Sequence, residues 1–382
     1  MNEVPMNTQF QLFMRDATRL TQAGRLNEAT EAIQRALQGV AAEAGLPAHT
    51  FEGDAFEVKA MPSGLIGTDQ PMLRADAPAP QAGRFTDERF VHGGVTRQYK
   101  LYQPAGRTGE TLPLVVMLHG CTQNPDDFAA GTGMNALADE LGFVVLYPAQ
   151  SQAANPQGCW NWFEHGHQKR GSGEPAALAA LTLSVIQAHG IDARRVFVAG
   201  LSAGGAMADI IANAYPDIFA AAGVHSGLPC GAAGSVAEAF AVMSGGTPDT
   251  SSLAGAMKKR RGAAQQAVRA VPTIVFHGDR DHTVHPRNGE QVIAAALGRV
   301  AGQPEKRRTH TQQGVSEKGR RYTRIVHDDH DGAALAEHWV VHGAGHAWSG
   351  GQAAGSYTDT GGPDATREML RFFLAQVKTP DA

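Results

Sequence analysis

Cysteine is scarce in this chain, with three residues in 382. So small and odd a number in a long sequence does not make a disulfide framework, and the fold must rest on a buried core. Charge is sparse too: Asp, Glu, Lys and Arg make up 18%, and the formal net charge is −4. That argues against a nucleic-acid partner, and no long basic run offers itself to an anionic membrane. The one basic cluster, Lys258-Lys-Arg-Arg261, reads as a solvated helix face. No 18-residue stretch is apolar and free of charge, so no membrane span is expected. The first residues, MNEVPMNTQ, lack the basic and apolar regions of a secretory leader. The expectation is a cytoplasmic protein.

What the chain does have is length and apolar content. Its 42% hydrophobic residues suit one large α/β domain with a smaller piece attached. Phe10, Phe13, Ala17 and Leu20, then Leu26, Ala29, Ile33 and Leu37, recur at helical spacing on either side of Gly24. Residues 1–38 therefore read as an αα-hairpin, with no second copy to make a repeat array. Residues 39–84, rich in Ala, Gly and Pro and ending near DAPAPQAGRF, read as a linker. The main domain, 85–382, opens with a hairpin turning at Gly93-Gly94. Continuous apolar runs follow at Leu112–Leu118, Phe143–Tyr147, Val196–Ala199, Phe219–Val224 and Thr273–Phe276. Helical stretches at 126–141 and Pro175–His189 lie between them. Strands without polar alternation, separated by helices, predict a mostly parallel sheet covered on both faces. Glu337–Val341 is the last strand, and an amphipathic helix capped by Asp364 closes the chain.

Gly200-Leu-Ser-Ala-Gly204 stands between the strand ending at Ala199 and a helix of small residues. A strand, a G-x-S-x-G turn and a helix describe a nucleophile elbow, in which Ser202 is held exposed. The glycines are needed because a side chain at either would collide with neighbouring backbone. A serine that merely caps its helix would look the same, so its partners decide. In His277-Gly-Asp279-Arg-Asp281-His-Thr-Val284, the HGxxDxxV spacing selects Asp281 as the acid, with Asp279 fixing the loop. His346, in the Gly-rich loop after the final strand, is the base; His342 belongs to the strand. The order Ser202, Asp281, His346 is that of an α/β-hydrolase triad. Oxyanion donors are expected from the backbone N–H of Ala203 and, in the loop after the early strand, of Cys121.

Several segments together carry a family resemblance: LHGCTQNPDDFA (118–129), CWNWF (159–163), GLSAGGAMA (200–208), YPDIFAAAGVHSGLP (215–229), HGDRDHTV and GAGHAWSGG. From about Phe85 onward the chain resembles the polyhydroxybutyrate depolymerase family of esterases, which includes feruloyl and acetyl-xylan relatives. The resemblance implies carboxylic ester hydrolysis with no metal or organic cofactor. Ser202, Asp281 and His346 match the family's triad, and Cys121 its oxyanion position. Secreted members carry a leader and a polymer-binding domain, which are not seen here. The expectation is therefore an intracellular form acting on storage polyester or its oligomers. The N-terminal hairpin is expected to dock its apolar face on the main domain, with a second subunit or a storage-granule surface as the alternatives. A feruloyl or acetyl-xylan esterase is the alternative. A binding protein on a dead hydrolase scaffold is disfavoured by the filled triad positions, and a peptidase by the resemblance.

Trp160, Trp162 and Trp348 lie in loops that should flank the site. They are candidate substrate-binding aromatics, weighed against packing as a lid core. Asn161 is expected to order its loop. A disulfide between Cys121 and Cys159 is geometrically conceivable, but free thiols are expected in a reducing compartment. His327-Asp-Asp-His-Asp331 contains metal-ligating residue types, yet alternation along a strand would point them to opposite sides, and a turn before Ala333 is the simpler account.

Overall fold

A computed structural model of the chain describes residues 83–107, 109–245, 270–300, 307–329 and 331–378. The expected N-terminal hairpin, nearly all of the linker and the Lys258–Arg261 cluster fall outside these residues.

The first two strands, β1 (Arg84–His92) and β2 (Val95–Gln103), form the expected hairpin. Its two-residue turn places Gly93 and Gly94 at φ 58° and 77°. Both values lie in the region that only glycine adopts freely, as a tight hairpin turn requires. The buried strands β3 (Leu114–Leu118), β4 (Val144–Pro148), β5 (Val196–Leu201), β6 (Ala221–His225) and β7 (Thr273–Gly278) follow. With β10 (Ala334–Val341) they run parallel in the middle of a ten-stranded sheet. The β1–β2 pair adds antiparallel to one edge through β4. On the other, β10 pairs with β9 (Arg321–Asp328), and β9 with β8 (Arg308–Val315).

Helices cover both faces, which is why the central strands read as unbroken apolar runs. From β3, Leu114, Val116 and Leu118 enter one core, shared with α3 (Gly173–His189) and α4 (Ala203–Ala214). Val115 and Met117 enter the other, with α1 (Pro125–Thr132), α2 (Met134–Leu141) and α7 (Ala365–Leu374). Two further helices, α5 (Val236–Met243) and α6 (Arg287–Arg299), flank β7 in the chain. Asp364 caps α7 as expected, accepting from the Arg367 N–H at 2.9 Å. No described helix is long and apolar enough to cross a membrane.

Two elements differ from expectation. The helix expected over 126–141 is split at Gly133, whose φ of 66° ends α1 and starts α2. A left-handed residue cannot continue a right-handed helix. The turn expected before Ala333 is present, the Asp329 N–H donating to the Ala333 carbonyl at 3.0 Å, but the hairpin β8–β9 that precedes it is not expected from the sequence. The hairpin escapes a pattern search because it lies at the sheet edge with no fully buried position, so no apolar alternation marks it.

Candidate active site

Ser202, Asp281 and His346 all follow the C-terminal ends of strands in the parallel sheet: β5, β7 and β10 respectively. That edge is where open parallel sheets place their ligands.

Ser202 takes φ 58° and ψ −120°, which an L-residue adopts only when its surroundings enforce it. The enforcement is visible. A Cβ on Gly200 would strike the carbonyl of Gly204, and one on Gly204 the carbonyl of Leu118. The Ser202 N–H donates to the His225 carbonyl at 2.9 Å, so the turn is also tied to β6. Ser202 stands at the N-terminus of α4, and the N–H of Ala203 has no acceptor within that helix.

His346 Nδ1 lies 2.7 Å from Asp281 Oδ2, the pairing expected from spacing. With Nδ1–H donating to the carboxylate, Nε2 keeps its lone pair. Asp281 is fully held: its Oδ1 accepts the N–H groups of Thr283 and Val284 at 2.9 and 2.8 Å. Burial pushes this carboxyl up, but hydrogen bonds from His277 and His346, the charge of His346 and the Val284 N–H outweigh it. The group is held well below the usual carboxylate range. His277 is a partner that sequence reasoning missed. Its buried Nε2 donates to the Val284 carbonyl at 2.8 Å and sits 3.5 Å from Asp281 Oδ2. Its position in the HGxxD run was the available signal.

Asp279 fixes the loop, as expected, by reaching His342 Nδ1 at 2.9 Å and the Gly343 N–H at 2.6 Å. His342 stands just beyond the end of β10 rather than on the strand.

In the oxyanion loop, neighbouring N–H groups are already committed. Gly120 donates to Gln123 Oε1 at 2.9 Å, Thr122 to the Gln157 carbonyl at 2.7 Å, and Gln123 to the Gly120 carbonyl at 3.3 Å. The Cys121 N–H is left without a partner among the described residues, as an oxyanion donor must be.

The thiols are a correction. Cys121 and Cys159 form a disulfide, their Cα atoms 4.2 Å apart. The two loops converge because the buried Trp160 indole, next to Cys159, donates to the His119 carbonyl at 3.1 Å. That convergence is invisible at a sequence separation of 38.

The tryptophans are a second correction. Trp160, Trp162 and Trp348 are 0%, 5% and 1% exposed, so all three pack as buried core rather than as open aromatic surface. Trp348 donates to Thr366 Oγ1 at 2.9 Å and stacks on His225, with ring centroids 5.0 Å apart. Large indoles close to loops still gain most by burial, provided the N–H finds an acceptor. His225, behind this stack, is held well below the ordinary imidazole range by burial and by nearby His277 and His346. It accepts the Ser349 N–H at 2.9 Å.

Asn161 does order its loop, but through its side chain as well as its backbone. Its N–H and Nδ2 both donate to the buried carboxylate of Glu174 at 2.9 Å, and its Oδ1 accepts from Asn155. Nothing in the sequence marks Glu174 as that anchor.

Topology and elbow together define an α/β-hydrolase. The acetyl xylan esterase from Aspergillus awamori shares the fold, with a TM-score of 0.57 and 19% identity over 76% of this chain and 99% of that one. Residues 97–313 match the family described as esterase PHB depolymerase, and the chain belongs to that family. Poly(3-hydroxyalkanoate) depolymerase C of Paucimonas lemoignei is 39% identical over 47% of this chain and 43% of its own length. Poly(3-hydroxybutyrate) depolymerase of Ralstonia pickettii is 31% identical over 68% and 53%. Feruloyl esterase B of Thermothelomyces thermophilus is 28% identical over 47% and 63%. The chain thus spans about half the length of these relatives.

Proposed function

We propose that the protein is a serine esterase that hydrolyses poly(3-hydroxybutyrate) or short 3-hydroxyalkanoate oligomers. The observation that carries the chemistry is the 2.7 Å contact of His346 Nδ1 with Asp281, at the sheet edge that also presents Ser202 on its strained turn. His346 Nε2 takes the proton as Ser202 Oγ bonds to the ester carbonyl carbon. The carbonyl oxygen, now negative, accepts from the Cys121 and Ala203 N–H groups. Collapse expels the alcohol, which carries away the proton from His346, and leaves an acyl-serine. Water, deprotonated by His346, then releases the carboxylic acid and restores Ser202. Asp281 holds the imidazole tautomer and stabilises the imidazolium in both halves.

The polyester substrate is supported by the depolymerase relatives, whose identities of 39% and 31% exceed the 28% of the feruloyl esterase. A feruloyl or acetyl-xylan specificity is the second reading, because those esterases share the family's fold. Turnover of hydroxybutyrate oligomers, amorphous polymer and methyl ferulate, measured side by side, decides between them. Preference for methyl ferulate overturns the polyester reading.

The disulfide bears on compartment. Such bonds persist where the surroundings are oxidising, which weighs against the cytoplasmic residence expected from the N-terminal sequence. Thiol labelling of the protein taken directly from its host separates the two. Docking on a storage granule through residues 1–38 remains part of the proposal. Their deletion should spare soluble-ester hydrolysis and weaken granule binding, and unchanged granule binding removes that role.

A further inference from the structure

Trp160, Trp162 and Trp348 are buried, but the ring of Tyr357 is not. Tyr357 is 47% exposed, and among the described residues no other aromatic ring packs against it. Its place in the fold is unusual in two ways. Its backbone takes φ 50°, a left-handed value that a bulky residue seldom adopts and glycine would adopt freely. It also bridges both catalytic loops. The phenol oxygen lies 3.1 Å from Thr122 Oγ1, one residue beyond the oxyanion donor Cys121. The Tyr357 carbonyl accepts the N–H of Trp348, two residues beyond His346, at 2.7 Å. Thr122 has a left-handed backbone as well, at φ 63°.

The chain leading to the ring is anchored with equal care. Asp127, in α1, accepts the N–H and hydroxyl of Ser356 at 2.8 and 2.6 Å. Gln123, which holds the oxyanion loop, donates to the Ser356 carbonyl at 3.2 Å. A half-exposed ring that covers no core is normally left to wave in solvent. Here its backbone is kept in a costly conformation and fastened on both sides. Such strain is retained where geometry serves a ligand.

We propose that Tyr357 is a specificity-determining residue, the aromatic platform on which the ester's chain lies beyond the reacting carbonyl. This rests on the esterase reading above. A phenol ring offers an apolar face to a methyl-bearing polyester and is pre-ordered, so little freedom is lost on binding. The contact lies outside the bond-making centre. It therefore acts on substrates long enough to reach it and leaves the smallest esters untouched.

The test compares 3-hydroxybutyrate trimer with p-nitrophenyl acetate in Tyr357→Gly and Tyr357→Phe. Glycine suits the backbone, so the first variant removes the ring without added strain. We expect Tyr357→Gly to raise KM for the trimer about tenfold more than it changes KM for p-nitrophenyl acetate, so that the ratio of the two KM values shifts about tenfold. Tyr357→Phe, which keeps the ring, should hold the trimer KM within about twofold. An unchanged trimer KM in Tyr357→Gly overturns the platform. So does an equal fall in kcat on both esters, which would mean the residue only props the oxyanion loop. If the unmodified enzyme turns over methyl ferulate but not the trimer, the polyester reading fails instead. The same comparison with methyl ferulate then decides Tyr357. Turnover of neither overturns both.

Discussion

Asp279 binds His342 and the adjacent backbone at once: Oδ2 lies 2.9 Å from His342 Nδ1, and Oδ1 accepts the Gly343 N–H at 2.6 Å. Its carboxylate thereby joins the loop that carries Asp281 to the loop that carries His346. Two further backbone bonds, Asp279 N–H to the Val341 carbonyl and Arg280 N–H to the Ala344 carbonyl, complete the clamp. Asp281 and His346 are thus held relative to each other by a residue that hydrogen-bonds to the side chain of neither.

This separates the two aspartates by experiment. Asp281→Asn should lower kcat on p-nitrophenyl butyrate by about 10⁴, because the imidazole loses its tautomer and its counter-charge. Asp279→Ala leaves the pair intact but loosens its geometry, and roughly a tenfold loss in kcat with little change in KM is expected. Steady-state kinetics on both variants checks this. Equal losses would mean that Asp279 shares the role of the acid.

The strain at Ser202 predicts an opposition between activity and stability. Ser202→Ala should abolish hydrolysis with the fold intact. Ser202→Gly should also be inactive, yet more stable by about 1 kcal/mol, since glycine accepts φ 58° without penalty. Urea unfolding midpoints of the three proteins measure the difference. A less stable glycine variant would show that the elbow is not strained.

The disulfide ties the loop bearing the free Cys121 N–H to the loop pinned by Trp160 and Glu174. Replacing both cysteines by serine should cost about 3 to 4 kcal/mol of stability through the loop freed in the unfolded chain. It should also lower kcat by about tenfold, because the oxyanion donor is less firmly placed. A reducing agent should reproduce both effects on the native protein. Full activity after complete reduction would show that the loop holds its position without the bond.

Stability should fall steadily below neutral pH. Burial holds the imidazoles of His119 and His225 below their ordinary range, the second helped by nearby His277 and His346. Burial, with His277 and His327 nearby, puts His338 at about 4. These groups are neutral in the fold but take up protons when unfolded as the pH drops through about 6.5. The unfolded state is thus favoured progressively from there to about 4. Asp281 and Glu337 act in the same direction lower down. Burial opposes their charge, but hydrogen bonds outweigh it: those of His277 and His346 for Asp281, and of Arg324 and Arg371 for Glu337. Their contribution is complete above an unfolded value of about 4 and is lost as the pH falls toward their folded values. Thermal midpoints between pH 8 and 3 should therefore decline from about 6.5, steepening below 4. His167, raised by its Glu174 hydrogen bond, opposes this in part because the fold favours its protonated form. A midpoint that rises continuously from pH 6.5 to 4 would contradict the burial of the three imidazoles.

Local chemistry and chain order by themselves determined the parallel core, the Gly93-Gly94 turn, the elbow at Ser202 and the choice of Asp281 over Asp279. Each of these is written within a few neighbouring residues: an apolar run, a pair of glycines, a G-x-S-x-G turn, a fixed spacing from His277. The tertiary structure decided what depends on contacts between distant segments. It buried the three tryptophans, because whether an indole lies in a loop says nothing about what packs over it. It joined Cys121 to Cys159 by bringing two loops together, and it paired Asp279 with His342 across 63 residues. The polar strands β8 and β9 became visible only in their pairing, since an exposed sheet edge needs no apolar pattern. Tyr357 is the sharpest case. A tyrosine between Ser356 and Thr358 carries no signal until its backbone angle and its bonds to both catalytic loops are seen together.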